Sequence, residues 1–205
     1  MPSEKDINVL RELAGDIADI AQQPVQAEKI EGWKRINSLQ SHRPMVWITE
    51  IPYGEFADRV DLLKPVCEDR RCRAIEQAFR RKIFVARYLP CDEVVESVYR
   101  VPLKIDGMGY GVSTEEDQLP QGSSYIQSHH YQPVIKDVPD IEKIRMPAVS
   151  CDMEETNRRL AFAQDLFGDI LSVELTGPHH HFFPAWDQLV RWTGVTEALM
   201  DLVAR

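Results

Sequence analysis

The chain is short of several things at once. Its 205 residues contain four cysteines and ten glycines, and no apolar stretch approaches the roughly 20 residues that a membrane-spanning helix requires. Cys67, Cys72, Cys91 and Cys151 follow no dense framework spacing, so reduced thiols are expected rather than a disulfide scaffold. Met1 to Glu12 lacks the basic and apolar regions of a signal peptide, which makes a cytoplasmic protein the expectation. Cations are in deficit too: 24 Lys and Arg against 33 Asp and Glu leave a net charge of −9. That balance argues against nucleic acid, whose phosphates are gripped by clustered cations. There is no CxxC pair, HExxH, P-loop or Gly-x-Gly-x-x-Gly after a strand-like run, and Gly107, Gly109 and Gly111 are too evenly spaced for a dinucleotide fingerprint.

What remains is ordinary globular material. At 43% hydrophobic and 28% charged residues the chain is too apolar for disorder and should bury a core. Ile7, Leu10, Leu13, Ala14, Ile17 and Ile20 recur at helical spacing behind Ser3 and Asp6, which resemble an N-terminal cap. Pro24 interrupts that run, and Ile30, Trp33, Ile36 and Leu39 continue it as a second helix. Arg43 to Pro52 reads as a strand covered on both faces, Cys67 to Leu89 as a helix, and Glu93 to Pro102 as another strand. Ser123 to Pro133 suggests an extended segment and Asp137 to Met146 a short acidic helix. Asp152 to Phe167 is helical, Ile170 to Pro178 a strand running into a Gly-Pro turn, and Trp186 to Ala204 a final helix. Strands alternating with helices predict βαβ units and a largely parallel sheet, whose functional residues gather at the carboxyl ends of the strands.

Several clusters bear chemistry. His179, His180 and His181 follow the last strand-like run; imidazoles carry protons near neutrality and bind metals. In an extended backbone His179 and His181 share a side and His180 points away, and a polar loop with one functional histidine is the plainer alternative. His129 and His130 raise the same question, with one functional histidine expected. Glu50, Glu96 and Glu174 each sit near the end of a strand-like run, where a carboxylate is paired, metal-bound, protonated or simply exposed. Trp186 with Phe183 could wall a pocket, and Asp187 could cap a helix or orient a histidine; packing is favoured for Trp192. Cys67 and Cys72, five residues apart on one helix, stand about 140° apart around its axis and are not expected to share a metal, and Cys91 and Cys151 are expected to be small core residues.

Arg43 to Pro52, Val94 to Pro102, Ser128-His129-His130-Tyr131, and above all Phe167-Gly168-Asp169-Ile170-Leu171 through Gly177-Pro178 to Trp186-Asp187-Gln188-Leu189 resemble the N-terminal part of uroporphyrinogen decarboxylase-like proteins, closer to their methyltransferase-like branch. The resemblance implies a partial or complete (β/α)8 TIM barrel over residues 43–205, preceded by an N-terminal helical extension over 1–42. A full barrel typically takes about 250 residues, so an incomplete one is expected. The activity implied is methyl transfer from a small methylated substrate to a corrinoid or thiol acceptor, with decarboxylation of a porphyrinogen-like polycarboxylate and a non-catalytic partner subunit as alternatives. On that scheme His129, His179, His181 and Glu174 are catalytic, and Glu50, Glu96, Trp186 and Asp187 bind substrate. The arginine- and glycine-containing motif of the true decarboxylases has no match before Glu50. Zinc or corrinoid is expected only if a longer chain or a partner completes the site. The partners implied are a small molecule, a corrinoid protein and a second copy in a homodimer, with no nucleic acid and no membrane.

Overall fold

The computed structural model describes residues 2–118, 129–178 and 184–204. Its helices are α1 (Glu4–Ala21), α2 (Pro24–Asn37), α3 (Tyr53–Ala57), α4 (Arg70–Tyr88), α5 (Met153–Phe167), α6 (Ala185–Thr193) and α7 (Val195–Ala204). Its strands are β1 (Val98–Pro102), β2 (Ile105–Asp106), β3 (Glu115–Gln118), β4 (His129–Gln132), β5 (Ser150–Cys151) and β6 (Ser172–Thr176), and 3-10 turns occupy Asp61–Leu63 and Val138–Lys143. The chain divides into two compact units, one of Met1–Val101 with Asn157–Leu175, the other of Pro102–Thr156 with Thr176–Arg205.

In the first unit the amphipathic stripe of α1 is buried as its spacing predicts, through Leu10, Leu13, Ala14 and Ile17, and the Ser3 hydroxyl accepts the Asp6 N–H at 3.1 Å as the helix cap. Asp6 is itself buried, and its carboxylate accepts the N–H groups of Glu68 (3.1 Å) and Asp69 (3.0 Å), just before α4 begins. Asp16 pairs with Arg87 at the far end of α4, so α1 and α4 lie alongside each other in the same direction. The core between them is completed by Phe79, Tyr99 and Phe167, whose ring centroids stand 4.9 to 5.7 Å apart. Arg11 clamps the end of α5, donating to the Leu166 carbonyl at 2.8 Å and to both oxygens of Asp169.

Glu76, fully buried on α4, receives three sets of hydrogen bonds. The Val66 and Cys67 N–H groups donate at 2.8 to 3.0 Å, and Arg80 Nε donates at 2.7 Å. Burial pushes this carboxyl up, but the Cys67 and Val66 amides and Arg80 outweigh it and hold it below the usual range. Asp6 is likewise held low, by the Asp69 amide foremost. The helix starts at Arg70, with Asp69 as its cap, so Cys67 lies outside it and the helical-step reasoning about Cys67 and Cys72 does not apply. Both thiols are buried in the core, and burial pushes them up to about 12 and about 11.

The β1–β6 pair bonds Ser172 N–H to the Ser97 carbonyl at one end and Leu103 N–H to the Thr176 carbonyl at the other, each 2.9 to 3.0 Å. Both strands ascend together, so they are parallel, and α5 precedes β6 in the manner of a βαβ crossover. In the second unit β2 pairs antiparallel with β5, and β3 with β4 in the register Glu116↔Tyr131 and Asp117↔His130. Lys104 N–H donates to the Thr156 hydroxyl at 3.0 Å and the Lys104 carbonyl accepts from Asp152 N–H at 2.8 Å, fixing the chain after β1 to the start of α5. Gly107 has φ +74, and a Cβ there would meet the Ala148 carbonyl oxygen at 1.9 Å, so only glycine fits. Gly194, at φ +87, divides the expected final helix into α6 and α7.

The expected (β/α)8 barrel is therefore corrected. Among the described residues the strands form three separate two-stranded pairs, two of them antiparallel, where a barrel is a continuous parallel ring. Two expected strands fail for identifiable reasons. Arg43 to Pro52 forms no ladder: Met45, Ile48 and Ile51 are its partly covered residues, an interval of three rather than the alternation of a strand, and Glu50 is left-handed at φ +57. Asp92 holds this segment instead, accepting from both terminal nitrogens of Arg43 at 2.6 and 2.8 Å and from Val46 N–H at 2.8 Å. Arg43 above all, with the Val46 amide, keeps the Asp92 carboxyl far below its ordinary value. The first half of Glu93 to Pro102 is irregular because side chains of α2 take the backbone groups that a neighbouring strand would use. Trp33 Nε1 donates to the Asp92 carbonyl, Lys29 Nζ to the Glu93 carbonyl, and Gln26 Oε1 accepts from Val95 N–H.

Candidate functional site

Among the described residues, an imidazole site lies on the paired strands β3 and β4. Successive side chains on a strand alternate between faces, so the register places Glu116, His129 and Tyr131 on one face and Glu115, Asp117, His130 and Gln132 on the other. On the first face His129 Nδ1 stands 3.1 Å from Glu116 Oε2, with both side chains about one-third exposed. The Tyr131 ring lies nearly parallel to the imidazole, 12° between planes and 6.2 Å between centroids. On the second face Gln132 Nε2 donates to Asp117 Oδ2 at 2.5 Å, beside His130. Among the described residues, His129 is thus the one of the two neighbouring histidines with a carboxylate in hydrogen-bond reach. With Nδ1 donating to Glu116, Nε2 is the nitrogen that can take or give a proton, the arrangement in which a carboxylate fixes the tautomer of an acid–base histidine.

Glu116 was not among the residues singled out in the sequence. The signal for it was the run Glu115-Glu116-Asp117, but pairing it with His129 depends on a register that no local pattern specifies. At the carboxyl end of β1, Lys104 is ion-paired with Asp106. Trp186 and Asp187 occupy the first turn of α6, Trp186 half-exposed and Asp187 exposed. His179, His180 and His181, together with Phe183, lie outside the described residues.

The three glutamates belong to the first unit. Glu50 is exposed on the irregular segment before α3, Glu96 precedes β1 and pairs with Arg100 at 2.8 Å, and Glu174 lies exposed on β6 with the Ser172 hydroxyl 3.4 Å from its carboxylate. Each has a setting of its own. Among the described residues no three His, Cys, Asp or Glu side chains are arranged to hold a metal ion. No helix among them is long and apolar enough to cross a membrane.

Comparison of the chain with protein-family models, curated proteins and solved structures finds no match.

Proposed function

We propose that this chain handles a small methylated substrate and that His129, oriented by Glu116, moves the proton that accompanies methyl transfer to a thiol or corrinoid acceptor. The observation that carries the reading is the 3.1 Å Glu116–His129 contact on a face shared with Tyr131. When a methyl group leaves a heteroatom, the bonding electron pair stays on that atom, which then takes a proton. A histidine whose second nitrogen is held by a carboxylate supplies it. The sequence resemblance supports this chemistry; of its segments Arg43 to Pro52 is irregular, and the others include β1, β4, the end of α5, β6 and α6.

Decarboxylation of a polycarboxylate is the rival. It calls for cations around the reacting carboxylate, and the face that carries His129 presents the carboxylate of Glu116 instead, which favours the methyl-transfer reading. The test is turnover of the purified chain with methylated thiols and amines, with a free thiol or cob(I)alamin as acceptor. His129→Gln is expected to lower kcat about 10²–10⁴-fold, and Glu116→Gln less, with KM nearly unchanged. Turnover unaffected by His129→Gln refutes the role; carbon dioxide release from a polycarboxylate instead favours the rival; and absence of any turnover favours a partner subunit.

A further inference from the structure

A second feature, independent of the His129–Glu116 pair, is a couple of sulfur atoms in the second unit. Cys151, by expectation a core residue, is exposed, and Met153 beside it is half-exposed. Their sulfurs stand next to each other, Cys151 Sγ donating to Met153 Sδ at 3.5 Å. Cys67, Cys72 and Cys91 are buried, so of the four thiols Cys151 is the one that solvent reaches.

Regular backbone holds both donors. Cys151 lies on β5 opposite Ile105 of β2, and Asp152 N–H continues the ladder to the Lys104 carbonyl at 2.8 Å. Met153 opens α5, whose first turn is anchored by the buried Thr156: its hydroxyl donates to the Asp152 carbonyl at 2.7 Å and accepts from Lys104 N–H at 3.0 Å. Asp152 Oδ1 accepts from Glu155 N–H at 2.9 Å. The residue between the two sulfurs is thus tied at its amide, its carbonyl and its carboxylate. Donors carried on such a frame lose little conformational freedom when they take up an ion.

The chemistry of the pair is soft. Alternation along β2 turns the Lys104–Asp106 ion pair to the face opposite Ile105 and Cys151, and the Asp152 carboxylate is engaged in the first turn of α5. A thiolate with a thioether suits copper(I), whereas magnesium and calcium seek oxygen and structural zinc(II) takes four donors. A metal–sulfur bond is about 2.3 Å long, so two sulfurs 3.5 Å apart can share one ion at an S–metal–S angle of about 100°, which leaves room for a further ligand from solution. We infer that Cys151 and Met153 together bind one copper(I) ion. The Cys151 proton leaves to solvent as the thiolate forms, and the Met153 sulfur contributes a lone pair in place of accepting the S–H.

The probe is copper(I), kept reduced in oxygen-free buffer containing acetonitrile and equilibrated with the intact chain by dialysis, the bound metal being read by atomic absorption. The expected result is saturable binding of one ion per chain, retained against excess zinc(II), with X-ray absorption showing sulfur ligands. Cys151→Ser should remove that binding, and Met153→Leu should weaken it roughly tenfold or more by taking away one of two soft donors. Both positions are exposed or half-exposed, and circular dichroism should be unchanged in both variants. Binding that persists in Cys151→Ser places the ion elsewhere, and an affinity indifferent to Met153→Leu leaves a thiolate acting alone; either result overturns the inference. Displacement by zinc(II), or absence of saturable binding, overturns it as well.

Discussion

Removing the Glu76 carboxylate should loosen one corner of the first unit far more than its surroundings. In Glu76→Ala the guanidinium of Arg80, itself only 14% exposed, loses its counter-charge, and the Val66 and Cys67 amides lose their acceptor. Breaking a buried pair from one side costs about 3–5 kcal/mol. Because Cys67 is one of those amides and its thiol is fully buried, the loss is readable as thiol chemistry. Cys151 is exposed and serves as the fast internal standard, while Cys67, Cys72 and Cys91 react with a disulfide reagent only through opening. If opening is at equilibrium, about 3–5 kcal/mol translates into roughly 10² to 10³·⁵-fold faster labelling. Mass spectrometry then assigns the label to Cys67 and Cys72. The double variant Glu76→Leu with Arg80→Met separates the causes: it removes both charges but leaves two amides unpaired, at about 1–3 kcal/mol each, so protection returns only in part. Unchanged labelling of Cys67 in Glu76→Ala, or full protection in the double variant, refutes this account of the clamp.

Acid should attack the same corner. Asp6 and Glu76 are both held below their ordinary values of 3.8 and 4.5, so their contribution is fully present above those values and is lost as pH falls through the lower folded-state values. Urea midpoints are expected to be flat from pH 7 to 5 and to drop below about pH 4, less steeply in a Glu76→Gln background. Gly107→Ala should be destabilising well beyond the roughly 1 kcal/mol of an ordinary glycine replacement, because its Cβ collides with the Ala148 carbonyl; thermal melting checks this. Trp47→Ser, by contrast, alters a side chain 68% exposed and should move the melting midpoint within about 0.5 kcal/mol equivalent.

Helices were the legible part of this sequence. The apolar spacing from Ile7 to Ile20, the Ser3 cap and the break at Pro24 reappear as α1 and α2, since each depends on neighbours within one or two turns. Strand-like runs were less informative, because an apolar run says nothing of what will satisfy its amides. At Val95 the answer is Gln26, and at Val46 it is Asp92, both far away in the chain. The largely parallel sheet inferred from such runs therefore exceeded what local pattern can fix, and the barrel implied by the resemblance is absent among the described residues as well. His129 was visible as a residue type, but its Glu116 partner follows from strand register.

The first compact unit is discontinuous: residues 157–175 return to it after residues 102–156, the first part of the second unit, have been made. On a ribosome, Phe79 and Tyr99 emerge long before Phe167, the third ring of their cluster. Until that ring is made, α1 and α4 have an unfinished apolar seam, and Arg11 waits for Asp169. Nascent chains stalled before residue 167 has emerged should consequently engage holdases, and release should follow the emergence of β6 from the ribosome.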